Sequence, residues 1–220
     1  VNSTSSGKSR IAINGGSKRL FQGFNFDGGG SRWFFMVQGY AKNLIWRNNI
    51  MHNNGSSDSE NPSSIFFANG SQNPITGGNS HSNVVIQNNV FYDLNDPTNK
   101  HCASVACFDV KNMLYEDNIA YDIDGRGVND KDMGYMNTFR GNVIYDCKKA
   151  GVALESQGGQ SSIEVCYNHI YSTAGAAVHV AQQAGYINNV FIHHNTILGD
   201  IKFHSYEILV DSSYNINVYK

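Results

Sequence analysis

The sequence predicts an all-β fold, a right-handed parallel β-helix of about eight coils with three short strands in each. Three observations carry that expectation. Six segments share one template, in which a mostly apolar position is followed two residues on by an aromatic or aliphatic one and three residues later by Asn; they run 44–49, 84–89, 113–118, 137–142, 163–168 and 190–195. The anchoring Asn recurs at Asn49, Asn89, Asn118, Asn142, Asn168 and Asn195, with a weaker early copy at Asn25. Most steps are roughly 24 to 29 residues, one being lengthened between Asn49 and Asn89, which is a solenoid period. Within each segment the apolar residues alternate with period two, so the unit carries strands and not helices.

Each part of a coil then has its own reason. Counting from the anchor, positions −5, −3, 0 and +2 face inward, which makes every anchor an interior Asn. An unpaired buried amide costs several kcal/mol, whereas amides stacked on coils about 4.8 Å apart can bond to one another and to the turn backbone. Asn also tolerates the left-handed conformation that a sharp corner needs, so these residues read as corner residues. A further strand follows about ten residues after three anchors, in 127–130, 151–154 and 177–180.

One continuous repeat makes residues 1–220 a single domain. Its 22 Gly, 3 Pro and 12 Tyr, with 15% charged residues, suit strands joined by tight turns. A net charge of −2 without a basic stripe argues against nucleic acid as partner. No run of 18 apolar residues exists to span a membrane. The chain opens Val1-Asn2-Ser3 and stops in strand-like Asn215–Tyr219, so one or both terminal caps are expected to be missing and copies to associate end to end. Cys102 and Cys107 are close enough in sequence to bridge, and Asn2, Asn54 and Asn69 fit the glycosylation sequon.

Insertions at 53–64, 69–82 and 94–101 break the rhythm, and long loops on one rim of a solenoid wall a groove over the coils that follow. There Asp130 shares a register position with Leu154 and Val180, so a carboxylate stands where the core is expected and must be paired, protonated or displaced by a local strand break. Asn129 and Lys131 flank it and point outward, over or under Ala153 and Glu155, then His179 and Ala181, with Asp124, Arg126 and Asp132 nearby. Lys among carboxylates is suited to proton abstraction beside a uronate carboxyl; a solvated ion-pair cluster is the plain alternative. Asp93, Asp122 and Asp146 share position +4, where like charges need a cation such as calcium unless they only cap a solvent-screened corner. Glu116 and Arg140 share position −2 and should pair across coils.

The repeat resembles that of the parallel β-helix family of pectate lyases, alginate and chondroitin lyases, polygalacturonases and phage tailspikes, over about residues 10 to 220. Val128-Asn129-Asp130-Lys131 followed by Asn137–Asn142 is similar to the part of the alginate and chondroitin lyases that presents a catalytic Lys before an Asn-x-x-x-Gly-Asn corner. The resemblance implies Lys131 as base and Asp124 as an acid that holds calcium against the uronate carboxylate. By their placement around Lys131, Arg126, Glu155 and His179 are expected in the catalytic group and Asn129, Asp132 and Gln157 against substrate, with Asp122, Asp130 and Asp146 as further calcium ligands beside Asp124. Where that family has Leu-Arg-His-Gly on the next coil, this chain has Leu154-Glu155-Ser156-Gln157-Gly158, and Arg126 replaces an expected acid. The implied activity is a secreted or cell-surface lyase that cleaves an acidic, uronate-containing polysaccharide by β-elimination. The alternative is a non-catalytic fibre, adhesin or glycan-binding module.

Overall fold

The computed structural model describes residues 11–55, 62–68, 80–96, 102–156, 158–182, 186–198, 208–211 and 214–219. Among the described residues the chain winds into three parallel sheets of eight, eight and seven strands, each strand between the two ends of its sheet pairing with its counterparts one coil before and one coil after. Sheet A contains Trp33–Gln38, Ser63–Phe67, Ala103–Phe108, Arg126–Lys131, Val152–Ser156 and Val178–Gln182. Sheet B contains the template segments, and sheet C the strands that follow each anchor. The three strands per coil, the third-strand positions and the parallel register all agree with the sequence. No helix among the described residues is long and apolar enough to cross a membrane.

The period-two alternation sorts side chains as expected. Sheet B sends Trp46, Ile86, Tyr115, Phe139, Val165 and Ile192 inward, and sheet C sends Met51, Phe91, Ala120, Ile144 and Ile170, all of them buried. In sheet A one inward file runs Phe35, Ile65, Val105, Val128, Val152, Val178, and the next runs Val37, Phe67, Cys107, Asp130, Leu154, Val180. Burying a large apolar side chain is worth about 1.5–3 kcal/mol, so these files supply most of the stabilisation.

The anchors form an uninterrupted ladder. Each side-chain N–H donates to the amide oxygen of the next anchor, from Asn49 to Asn89 at 2.9 Å and on through Asn118, Asn142 and Asn168 to Asn195 at 2.9 Å. The same oxygen accepts the main-chain N–H of the anchor below, at 2.9–3.0 Å from Asn49 through Asn168. The second amide hydrogen donates to a carbonyl on the preceding coil, for instance from Asn118 to Ile86 at 2.8 Å. Every side-chain polar atom of the row is thereby satisfied.

Three details differ from the expectation. The left-handed residue is the one before the anchor, namely Asn48, Asn88, Asp117, Gly141, Tyr167 and His194, and the anchors themselves keep negative φ. The first rung of the ladder is occupied by Phe24, whose N–H donates to Asn49, and Asn25 lies one residue past it, bonded to His52 on the outside. All four cysteines are free and buried, so Cys102 and Cys107 are not bridged; their sulfurs face the Leu94 carbonyl and the Met113 sulfur. Asn54 is buried with its amide on Ser31 and Ser64, which removes it as a glycosylation site, while Asn2 and Asn69 lie outside the described residues.

Candidate functional site

The outer face of sheet A gathers most of the catalytic side chains expected from the sequence. The expected insertions fall largely outside the described residues, yet each has a described flank on a sheet A strand: 53–64 leads into Ser63–Phe67, 69–82 leaves it, and 94–101 leads into Ala103–Phe108. On this face, one column in register is Phe66, Ala106, Asn129, Ala153 and His179, and beside it run Phe108, Lys131, Glu155 and Ala181. These columns follow directly from the inward files, because in a strand the neighbours of a core residue point the other way.

The face changes character along the solenoid axis. At one end Trp33 stacks on Phe66 with centroids 4.7 Å apart, Phe66 meets Phe108 at 5.2 Å, and the Arg32 guanidinium lies 4.0 Å over Trp33. At the other end the side chains are charged. The Lys131 amine sits 5.4 Å from the Phe108 ring centre, within range of a cation–π attraction. Arg126 and Glu155 form an ion pair whose side chains are only 7% and 3% exposed, and His179 Nδ1 stands 3.8 Å from the same Glu155 oxygen. Because Glu155 pairs in register with Lys131, downstream of Arg126, the two ion-paired side chains lie along the sheet toward one another. Asn129, flanked by Ala106 and Ala153, is 3% exposed and its side-chain oxygen has no hydrogen-bond partner.

Of the residues expected at the site, Lys131, Arg126, Glu155, His179 and Asn129 therefore share one face. Asp132 does not join them: it is buried in the corner after the Arg126–Lys131 strand in the left-handed conformation, with its N–H on the Glu155 carbonyl. Gln157 lies outside the described residues.

Asp130 takes the inward register, with 0% exposure, but no strand break relieves it, since Arg126–Lys131 is continuous. What compensates it is Asn137, the polar residue in an otherwise apolar sheet B file, which donates to one carboxylate oxygen at 3.0 Å. Asn137 also donates to Val110 and accepts from Met113. Burial pushes the Asp130 carboxyl up to about 7, with Asp132 and Asp109 adding to the rise and the Asn137 bond opposing it.

The four aspartates named for calcium are not brought together. Asp122 and Asp146 are exposed left-handed residues in a row with Asn53, Asp93 and Ser172, the corner alternative read from the sequence. Asp124 pairs with Lys148 and accepts the Asp96 N–H, and Asp130 faces the core. Among the described residues one other cluster of ligand-type side chains converges, Glu164, Cys166 and His193 on the outer face of sheet B, which the sequence reading passed over. Its signal was present: residues two apart on one strand face, with a His at the same −2 position one coil later.

The chain matches no curated protein. Among solved structures it is similar to the A-module of a mannuronan C-5 epimerase of Azotobacter vinelandii, at 12% identity and a TM-score of 0.42, over 95% of this chain and 76% of that one. It is also similar to a surface protein and adhesin of Streptococcus pneumoniae, at 11% identity and a TM-score of 0.24, over 96% of this chain and 67% of that one. Residues 78–219 match the family model described as the right handed beta helix region, which with the three parallel sheets and their one-coil register means that this chain belongs to the right-handed β-helix family.

Proposed function

We propose that this protein acts on an acidic polysaccharide along the outer face of sheet A, cleaving it by β-elimination with Lys131 as the base. The observation that carries this reading is the in-register column of Phe108, Lys131 and Glu155, with Arg126 and His179 against the same Glu155 oxygen. Binding sites for small polar ligands combine aromatic surface with a few fixed polar groups, and this face runs from the Trp33–Phe66–Phe108 rings into that charged set. In the reaction the Lys131 amine takes the proton from the carbon bearing the uronate carboxylate. The bond from the adjacent ring carbon to the glycosidic oxygen then breaks, a carbon–carbon double bond forms, and His179 returns a proton to the departing oxygen. Glu155 fixes Arg126 beside the reacting carboxylate. A secreted or cell-surface location goes with such a substrate.

A second reading, a non-catalytic glycan-binding module, is favoured by the burial of the Arg126–Glu155 pair, which is closed on itself as a structural ion pair would be. The test is the ultraviolet absorbance of unsaturated product from a panel of uronic-acid polymers, for the parent and for Lys131→Ala. Product from the parent and none from the variant supports elimination. Equal product from both overturns Lys131 as base, and binding without product turns the reading to the module.

A further inference from the structure

The outer face of sheet B holds a second constellation, remote in register from the Lys131 face. Glu164 and Cys166 are two residues apart on the Gln160–Cys166 strand and so point the same way. His193 is the in-register partner of Cys166 on the next strand. The three therefore form a triangle whose spacing is set by the strand rise and the strand separation. Their ligand atoms all lie within 4.8 Å of one another, and His193 Nε2 is 3.0 Å from a Glu164 oxygen. The other imidazole nitrogen of His193 is held 2.8 Å from His194 Nδ1, and the His194 ring stacks on Tyr167 at 5.1 Å.

From this geometry we infer that Glu164, Cys166 and His193 form a binding site for a divalent transition metal of zinc type.

The donor set decides the class of ion. One sulfur, one imidazole nitrogen and one carboxylate oxygen are the three ligand types that zinc accepts together, whereas calcium and magnesium call for oxygen alone. At bonds of about 2.0 to 2.3 Å, tetrahedral zinc ligands stand roughly 3.3 to 3.8 Å apart, so the present triangle, whose ligand atoms lie within 4.8 Å of one another, closes on an ion by side-chain shifts of up to about 1 Å. A thiolate and a carboxylate neutralise a doubly charged ion with the imidazole uncharged. The His193–His194 contact is the outer bond that orients a metal-binding imidazole and selects which nitrogen faces the ion. Glu164 is 43% exposed, which leaves solvent access on one side and a fourth position for water.

Two alternatives fit less well. A nucleophilic cysteine requires an electropositive setting, but Cys166 shares its strand face with the Glu164 carboxylate, and the in-register Arg140 is engaged by Glu116. A purely structural polar ladder is the other, and that ladder is visible on the earlier coils: Gln87 donates to Glu116, and Arg140 pairs with Glu116. At Cys166 the ladder changes from ion-pairing groups to ligand groups.

Titration of the full chain with cobalt(II), followed by displacement with zinc(II), tests the inference. The parent should develop a near-ultraviolet thiolate-to-cobalt charge-transfer band, lost when zinc is added. Cys166 is the source of that band, because Cys102, Cys107 and Cys147 lie in the core. Cys166→Ser should abolish the band, and His193→Gln and Glu164→Gln should each weaken zinc binding at least about tenfold, with His194→Ala weakening it by about 10- to 100-fold as an orienting residue. Circular dichroism of each variant establishes that the fold is intact, and Glu164→Gln, at a half-exposed position, serves if Cys166→Ser does not fold. Absence of the cobalt band in the parent, or unchanged zinc affinity in folded Cys166→Ser or Glu164→Gln, overturns the site.

Discussion

Asp130 shows what a single residue does to a coil. It is the one charged side chain in a file that otherwise reads Val, Phe, Cys, Leu, Val, and its only described side-chain bond is to Asn137. Folding raises its carboxyl from the ordinary aspartate value to about 7, so between about pH 4 and pH 7 the folded chain holds a proton that the unfolded chain has lost. Stability linked to this group is therefore complete at low pH and falls as pH rises toward 7, by up to about 4 kcal/mol. Asp130→Asn should remove that slope and be the more stable protein at pH 8, which urea midpoints measured from pH 4 to pH 8 would reveal; parallel profiles for parent and variant would contradict the buried-carboxylate account. The inward direction of Asp130 was legible from its register with Leu154 and Val180. Its partner was not, because the contact with Asn137 crosses a corner between two sheets, and alternation within a strand says nothing about what the next sheet brings to that corner.

At the level of the element, the anchor row and the corner rows carry different loads. Asn118→Leu or Asn142→Leu nearly conserves volume but leaves the adjoining Asn amides and main-chain groups without partners, so each should lower unfolding stability by about 1–3 kcal/mol. Because the two residues share a bond, the double variant should cost less than the sum, and thermal or urea unfolding of the set measures the difference. In the outer row one residue before each template segment, Asn43, Asn83 and Asn112 are left-handed and linked by side-chain bonds of 2.9 and 2.7 Å, whereas Met136 is left-handed and 52% exposed. Met136→Asn should then stabilise by about 0.5–1 kcal/mol, since Asn tolerates that conformation and little packing is lost; a neutral or destabilising result would place the value of Met136 in packing. The fold was readable at this level because the Asn spacing and the alternation agree independently. The corners were assigned one residue late, since a repeated Asn explains both a ladder and a turn, and composition cannot tell which of two adjacent Asn turns the chain. The Lys131 face was readable for the same reason as the core. The Glu164–Cys166–His193 triangle was passed over although its shared strand face and −2 register stand in the sequence, because it joins residues 27 apart on neighbouring coils through side chains that match no local motif.

For the whole molecule, each coil touches only its neighbours, so resistance to opening should follow how many neighbours a strand has and how well both its faces are covered. Ala103–Phe108 and Val152–Ser156 are paired on both sides and buried on both faces, whereas Ser17–Gln22 is largely exposed and pairs with Lys42–Arg47 on one side. Hydrogen exchange should accordingly be slowest in the first two and fastest in the third, and uniform exchange along the chain would mean that the solenoid opens as one unit. The anchor row adds a vectorial property to this linear assembly. In every rung from Asn49 to Asn168 the carbonyl oxygen faces the preceding coil and the N–H faces the following one. The side-chain dipoles thus add head to tail and polarise one another, and their positive pole lies toward Asn195. An α-helix places its positive pole at the N-terminal end. Here one edge of a β-structure carries aligned side-chain dipoles of the opposite sense, directed along the solenoid axis, and at the Asn195 end the amide hydrogens are taken up by the Val165 and His193 carbonyls.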